Sequence, residues 1–269
     1  MELQSGAVLL DFFEEDGVAR ITLNRPERRN AINMALTAGV LEALKLIEPR
    51  DDIGCVMTVA AGGVAFCSGV DLFEGRDRRD HPEKYQDIPP VEGDMYEAIR
   101  LFPKPTLAVV EGLCIGVGIC LMAWHDLAVA AETAQFSVPG VIRGSYAVGP
   151  STKLPIHLSL KRMLYLLESA RYIDGIEADR WGLVSKAVPR DQLYDYSYTL
   201  AKEVASHSHV ALKYGKRVVY GVMESHYKAG VDALELGKDM IPDVDPMGNL
   251  EGYLQSQRMR AGTSQPDGG

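Results

Sequence analysis

Residues 111–155 read EGLCIGVGICLMAWHDLAVAAETAQFSVPGVIRGSYAVGPSTKLP, and this stretch decides the fold class. It follows an apolar run at residues 105–110 and opens on a turn punctuated by Gly112, Gly116 and Gly118. Residues 119–124 then run apolar as a helical segment. A buried strand that feeds a glycine turn and then a helix start leaves backbone N–H groups unpaired at the helix N-terminus, where they can bind negative charge. Such a turn cradles a phosphate or an oxyanion, and the pattern alone does not choose between them. The dinucleotide fingerprint is a poor match. It needs a third glycine where Leu121 stands, and the region about 20 positions on offers no acidic residue in a second strand–helix unit.

Working outward, Val8–Phe13 and Val18–Leu23 read as strands around residues 14–17, whose Asp16-Gly17 pair is a hairpin signal. Residues 35–47 carry Leu36, Val40, Leu44 and Ile47 at helical spacing. Cys55–Ala60 is a β-branched strand, and residues 65–72 form a second glycine-containing turn. Residues 73–93 interleave Arg76, Arg78, Arg79 and Lys84 with Asp77, Asp80, Glu83 and Asp87, which reads as a mobile surface loop or lid. Residues 95–101 read as helix, Leu127–Ala131 as strand and residues 136–138 as a short strand. Beyond them Leu160–Ser169 and residues 176–181, 192–205, 211–227, 230–238 and 250–259 read as helices, and residues 262–269 as a flexible tail. Strands with crossover helices, followed by a helical last third, make an α/β fold.

The chain's 269 residues can bury one large core, and 46% hydrophobic with 24% charged residues is ordinary for a globular protein. A net charge of −9 argues against nucleic acid and anionic membrane surfaces as partners, because clustered Lys and Arg carry such binding. Cys55, Cys67, Cys114 and Cys120 lie in apolar segments without metal-site spacing and read as reduced core thiols. The first residues show no basic leader, and no apolar run approaches the ~18 residues of a membrane span, so the expectation is a cytoplasmic protein. Neither a metal nor a redox cofactor is called for.

Four segments, taken in order, resemble the crotonase (enoyl-CoA hydratase/isomerase) superfamily. They are GVARITLNRPERRNAIN at residues 17–33, AFCSGVDL at 65–72, PTLAVVEGLCIGVGICLMAWHD at 105–126 and GLVSKAVP at 182–189. LEGYL at residues 250–254 looks like the family's closing helix. The resemblance implies stacked ββα units over residues 1–195 with the acyl-CoA site, a helical trimerisation region at 196–262 and a tail at 263–269. It also implies acyl-CoA thioesters as substrate, with coenzyme A entering only as part of that substrate, and a homotrimer or dimer of trimers. The family polarises the thioester carbonyl with two backbone N–H groups, which by position are those of Val70 and Val117. Backbone amides do not depend on side-chain identity, so valine preserves them. The segment around Arg29 and Ala31 matches the family's adenine and phosphate contact. Ala65, Cys67 and Asp71 match the turn that follows coenzyme A, Gly116 belongs to the oxyanion turn, and Lys216 lies where a basic residue often approaches the phosphates.

The departures carry as much information. Hydratases of this family use two glutamates as paired acid and base. Position by position the first is Cys120, the second, after Phe136-Ser137-Val138-Pro139, is Gly140, and a site used by some isomerases is Val148. A thiol among apolar neighbours stays protonated and positions no water. Covalent catalysis by Cys120 would need a histidine partner, and His125, five residues on along a helix, points elsewhere. Gly140 followed by Gly144-Ser145-Tyr146 resembles members that form or break carbon–carbon bonds, and Tyr146 or Ser145 is placed to orient a polar group of the substrate. The expectation is therefore an acyl-CoA enzyme that stabilises an oxyanion or enolate without two-glutamate hydration. Decarboxylation, carbon–carbon bond cleavage or formation, hydrolysis and isomerisation all stay open. The alternatives are a non-catalytic acyl-CoA-binding homologue and a hydratase whose acid/base is Glu74 or Glu83 from residues 73–93.

Overall fold

A computed structural model describes residues 1–85, 92–144, 154 and 156–240. β1 (Val8–Phe13) and β2 (Val18–Leu23) pair antiparallel from Val8↔Leu23 to Phe13↔Val18, around a short helical turn at Glu14–Asp16. From there the chain alternates between two sheets. β3 (Cys55–Ala60) joins β2, and β4 (Ala65–Cys67) turns away to begin a second sheet. β5 (Thr106–Val110) returns beside β3, and β6 (Leu113–Ile115) lies beside β4. β7 (Leu127–Ala131) then pairs with β5, and β8 (Gln135–Ser137) with β6. β9 (Ile173–Asp174) closes the small sheet antiparallel to β8, and β10 (Lys186–Val188) joins β7 in parallel. The result is a six-stranded sheet ordered β1-β2-β3-β5-β7-β10 and a four-stranded sheet ordered β4-β6-β8-β9. Every residue of β5 is buried, as its unbroken apolar run requires of a parallel strand covered on both faces.

The helices cover these sheets. α1 (Met34–Ile47) is capped by Asn33, whose Oδ1 accepts the Leu36 amide at 2.9 Å, and it packs on β1 and β2 through Leu36, Val40, Ala43 and Ile47. α2 (Leu72–Asp80), α3 (Glu92–Leu101) and α4 (Val117–Ala123) follow β4, the polar segment and β6 respectively. α5 (Leu160–Ser169) and α6 (Gly175–Trp181) flank β9. α7 (Leu193–Ala205) buries Leu193, Ser197, Ala201 and Ala205, one face at i, i+4 spacing, against β2, β3, β5 and β7. α7 therefore lies on the sheet across residue 195, where the core was expected to end. α8 (His209–Met240) is held to the body by Arg100 Nη1 on Glu224 Oε2 at 2.8 Å and by the edge-to-face pair Trp124–Tyr227 at 5.4 Å.

Three sequence expectations need correction. Much of the segment 73–93 is helical: α2 covers its first part, Pro82–Tyr85 form a short helical turn, and α3 opens at Glu92. Asp71 caps α2 by accepting the Phe73 and Glu74 amides at 3.0 and 3.3 Å. The interleaved charges are i, i+4 pairs, Arg78–Glu74 at 3.3 Å and Arg76–Asp80 at 3.4 Å, so they support a helix. The two helices expected at 211–227 and 230–238 are one, because a lone Gly230 costs only about 1 kcal/mol in a helix that long. The stretch after Gly112 holds the strand β6, and β9 and β10 are too short for periodicity to reveal. The expected helix at 250–259 and tail at 262–269 lie outside the described residues.

Candidate active site

The parallel strands β4 and β6 pair Ala65 with Leu113 and Cys67 with Cys114, and both end at the same edge of the small sheet. Three residues beyond Cys67 stands Val70, and three beyond Cys114 stands Val117. Gly116 has φ 56° and ψ −121°, a conformation L side chains rarely adopt, and its N–H donates to Ser137 O at 2.9 Å. That bond turns the chain so that α4 starts at Val117. Gly118 lets α4 lie on the neighbouring turn, since a Cβ there would sit 2.5 Å from Cys67 O. A Cβ on Gly69 would sit 3.1 Å from Ile115 O, so the two turns are stacked on each other. Val70 bridges Ile32, with Ile32 N donating to Gly69 O and Asp71 N to Ile32 O, both at 2.8 Å. Among the described residues neither the Val70 N–H nor the Val117 N–H has an acceptor. The structure thus brings the turn that holds Val70 and the turn that holds Gly116 and Val117 together, with Ala65 and Cys67 on the strand that enters the first turn and Asp71 directly after Val70.

Arg29 and Ala31 lie on the segment alongside. Arg29 has φ 52° and its carbonyl accepts the Ser68 amide at 3.1 Å, while Ala31 is buried. Asp71 is also buried and accepts Arg25 Nη2 at 2.8 Å. Burial pushes the Asp71 carboxyl up, but the Arg25 guanidinium and the Glu74 and Phe73 amides outweigh it and hold the group below the usual carboxylate range. Arg25 and the fully buried Asn30 are the residues that sequence reasoning passed over. Their signal was only their place in the LNRPERRNAIN segment, where nothing marked them from surface polar residues.

Cys120 lies in α4, buried beside Cys67 and Cys114. Burial pushes the Cys67 thiol up to about 12 and the Cys114 thiol well above its usual range, and none of the four cysteines is in a disulfide. His125 turns away from Cys120. Its Nδ1 donates to Leu121 O at 2.9 Å and its Nε2 accepts from the Thr58 hydroxyl at 2.8 Å, and burial lowers its pKa to about 4. A neutral imidazole engaged at both nitrogens leaves Cys120 without a base from that side. Gly140 is buried in the helical turn Pro139–Arg143, and Ser145, Tyr146 and Val148 lie outside the described residues. Glu74 accepts the Met34 amide at 3.1 Å and pairs with Arg78, which ties it to the start of α1, whereas Glu83 is exposed beside His81.

Lys216 is placed elsewhere. Its Nζ donates to Asp126 Oδ2 at 2.7 Å with only 10% of the side chain exposed, at the C-terminal end of α4, and Val117 opens the other end. Burial lowers the Lys216 pKa, and the Asp126 carboxylate opposes that shift. Asp126 also accepts the Thr106 amide and the Tyr220 hydroxyl at 2.8 and 3.0 Å, so Lys216 belongs to a buried network that docks α8. The phosphate contact expected of Lys216 has no support from this placement, because the ammonium is committed to Asp126. An open cavity of about 420 Å³ beside it is lined by Arg100, Lys213, Arg217 and Tyr220, and it too lies away from Val70 and Val117. Among the described residues no cluster could hold a metal ion, and no helix is long and apolar enough to cross a membrane.

Residues 14–242 match the family model for enoyl-CoA hydratase/isomerase. The chain belongs to the enoyl-CoA hydratase/isomerase family. It is 33% identical over 251 residues to enoyl-CoA hydratase domain-containing protein 3, mitochondrial, of Mus musculus, covering 91% of this chain and 81% of that one. Hydroxycinnamoyl-CoA hydratase-lyase of Pseudomonas fluorescens is 28% identical over 244 residues, 88% of this chain and 87% of that one. The solved structure of an enoyl-CoA hydratase/isomerase from Xanthobacter autotrophicus Py2 superposes with a TM-score of 0.79 at 25% identity, covering 95% of each chain. Enoyl-CoA hydratase/isomerase membership gives the two sheets their meaning as the crotonase fold, and the enzymes of this family act on acyl-CoA thioesters.

Proposed function

We propose that the protein converts an acyl-CoA thioester by stabilising an oxyanion or enolate on the Val70 and Val117 amides, through a reaction other than two-glutamate hydration. The observation that supports this reading is the stacking of two turns, one after β4 and one at the start of α4, whose Val70 and Val117 amides have no acceptor among the described residues. Preorganised donors of this kind act on charge as it develops, and each lowers the barrier by about 3–4 kcal/mol. Cys120 and Gly140 stand at the two positions matched to the family's glutamates, so those positions supply no acid/base pair for hydration. Carbon–carbon cleavage or formation, decarboxylation and isomerisation, each with an enolate held on these amides, or hydrolysis through a tetrahedral oxyanion, fits better. The Pseudomonas fluorescens relative is named a hydroxycinnamoyl-CoA hydratase-lyase, and the lyase part of that name is in line with this reading. Val210, Tyr214, Val218 and Val222 leave an exposed apolar stripe along α8, which supports a homotrimer or dimer of trimers.

The test is mass spectrometry of saturated, α,β-unsaturated, malonyl-type and β-keto acyl-CoAs incubated with the protein in heavy water. Deuterium uptake at the α-carbon or loss of carbon dioxide without hydration is the expected result. Rapid hydration of the unsaturated members would overturn it, as would ligands that bind and never react or exchange.

A further inference from the structure

We propose that Arg25 is the positioning residue of the Val70 amide, and that it ties this amide to the segment at Arg29 and Ala31. The inference rests on the reading of Val70 as a donor to the thioester oxygen, and adds how that donor is held and what part of the substrate it answers to.

The geometry is a clamp. Val70 faces Ile32, and the two bonds of that bridge run to Gly69 O and from Asp71 N, on either side of Val70. One guanidinium spans the same junction: Arg25 Nη1 donates to Ala31 O at 2.6 Å and Nη2 to Asp71 Oδ2 at 2.8 Å. Ala31 directly precedes Ile32 and Asp71 directly follows Val70, so the fork closes the bridge from its outer side. Only 14% of the Arg25 side chain and 7% of the Asp71 side chain are exposed, which keeps water from replacing either contact. Asn30 fixes the other end. Its Oδ1 accepts the Arg25 amide at 2.9 Å, and its Nδ2 donates to Ala61 O and Ala65 O at 3.0 and 2.8 Å. Arg29 and Asn30 stand at φ 52° and 53°, in the left-handed region uncommon for such residues, held there by this network.

A lysine could not reproduce the clamp, because a point charge cannot serve two acceptors in fixed planar directions as a guanidinium fork does. Movement of residues 29–31 is then passed through Arg25 and Asp71 to the Val70 peptide. If the nucleotide end of the substrate engages residues 29–31, part of its binding energy sets the donor at the reacting carbonyl. Substrates without that end should lose turnover as well as affinity.

The experiment uses an acyl-CoA that the protein converts, and the matching pantetheine thioester, each with ¹³C at the thioester carbonyl. Wild-type, Arg25→Gln and Arg25→Lys are compared by kcat and by the infrared stretch of the bound carbonyl. In wild-type the stretch should move to lower frequency on binding. Arg25→Gln should bind coenzyme A nearly as wild-type does, yet lose most of that move and roughly 10- to 100-fold in kcat. Arg25→Lys should recover little of it. The kcat advantage of the CoA thioester over the pantetheine thioester should disappear in Arg25→Gln. If that variant does not fold, Arg25→Lys, which keeps the charge, carries the same comparison of stretch and kcat. A folded variant with the wild-type stretch and wild-type kcat would overturn the role of Arg25 alone. A wild-type carbonyl that does not move on binding would overturn the reading of Val70, and the clamp with it.

Discussion

Replacing Gly118 by alanine should cripple turnover far more than it destabilises the protein. The added Cβ would lie 2.5 Å from Cys67 O and 3.0 Å from Cys67 Cβ, where ordinary contact begins at 3.4 Å. Both obstacles belong to β4, which is pinned between β6 and the body, so the start of α4 must retreat by about 0.9 Å, the difference between 3.4 and 2.5 Å. Overpacking of this kind costs about 1–3 kcal/mol. For a chain this size that lowers Tm by about 2–4 °C per kcal/mol. Val117 is the residue just before, and its N–H moves with the helix. A displacement of about 1 Å at a reacting centre costs on the order of 100-fold in rate, close to losing the donor outright. The assay is kcat for a converted acyl-CoA, with Tm from calorimetry. Gly215→Ala is the control. Gly215 lies in α8 with nothing near its Cβ position, so it should gain stability by about 0.5–1 kcal/mol and keep its rate. Wild-type kcat in Gly118→Ala would refute the reasoning, because it would show that the position of the Val117 amide does not matter.

Asp126→Ala should cost about 3–5 kcal/mol in chemical denaturation, because it leaves Lys216 buried without its carboxylate and strips the Thr106 amide and Tyr220 hydroxyl of their acceptor; a loss below ~1 kcal/mol would contradict the network. His125 gives a pH signature. Its pKa falls from 6.5 to about 4 on folding, so the unfolded chain takes up the proton first as pH drops. Its contribution is complete above pH 6.5 and is lost between 6.5 and about 4, at 1.36 kcal/mol per pH unit or roughly 3 kcal/mol in all. His125→Gln should show a shallower fall in stability over that range, and an unchanged slope would refute the assignment. Cys120→Ala should keep kcat within about threefold, since a thiol buried among apolar side chains stays protonated and contributes no acid/base step; a hundredfold loss would make the thiol a participant.

Most of the framework was legible in the sequence because it rests on local signals. β1, β2, β3 and β7 were marked by apolar runs between turn residues, and α1 and α5 by helical spacing. The turn at Gly116–Gly118 pointed to anion-binding amides on stereochemical grounds, and the segment resemblance matched Val70 to Val117. What escaped depended on contacts across long separations. Lys216 read as a basic residue near the phosphates, and nothing local pointed to Asp126, which is 90 residues away. Arg25 meets Asp71 across 46 residues, and nothing near either one signals the pair. The charges of α2 looked like a solvated loop because the Asp71 cap and the i, i+4 pairs only show their meaning once a helix is assumed. β6, β9 and β10 hold two or three residues each, too few for a period-2 pattern to stand out.

The most direct measurement is a crystal structure of the protein with a stable acyl-CoA analogue, in which the thioester is replaced by an amide that does not react. The carbonyl oxygen should lie about 2.7–3.1 Å from both the Val70 and Val117 nitrogens, with the nucleotide end along residues 29–31. An oxygen held by only one of these amides, or an acyl group bound at the Lys213–Arg217 face of α8, would contradict the oxyanion site at its root.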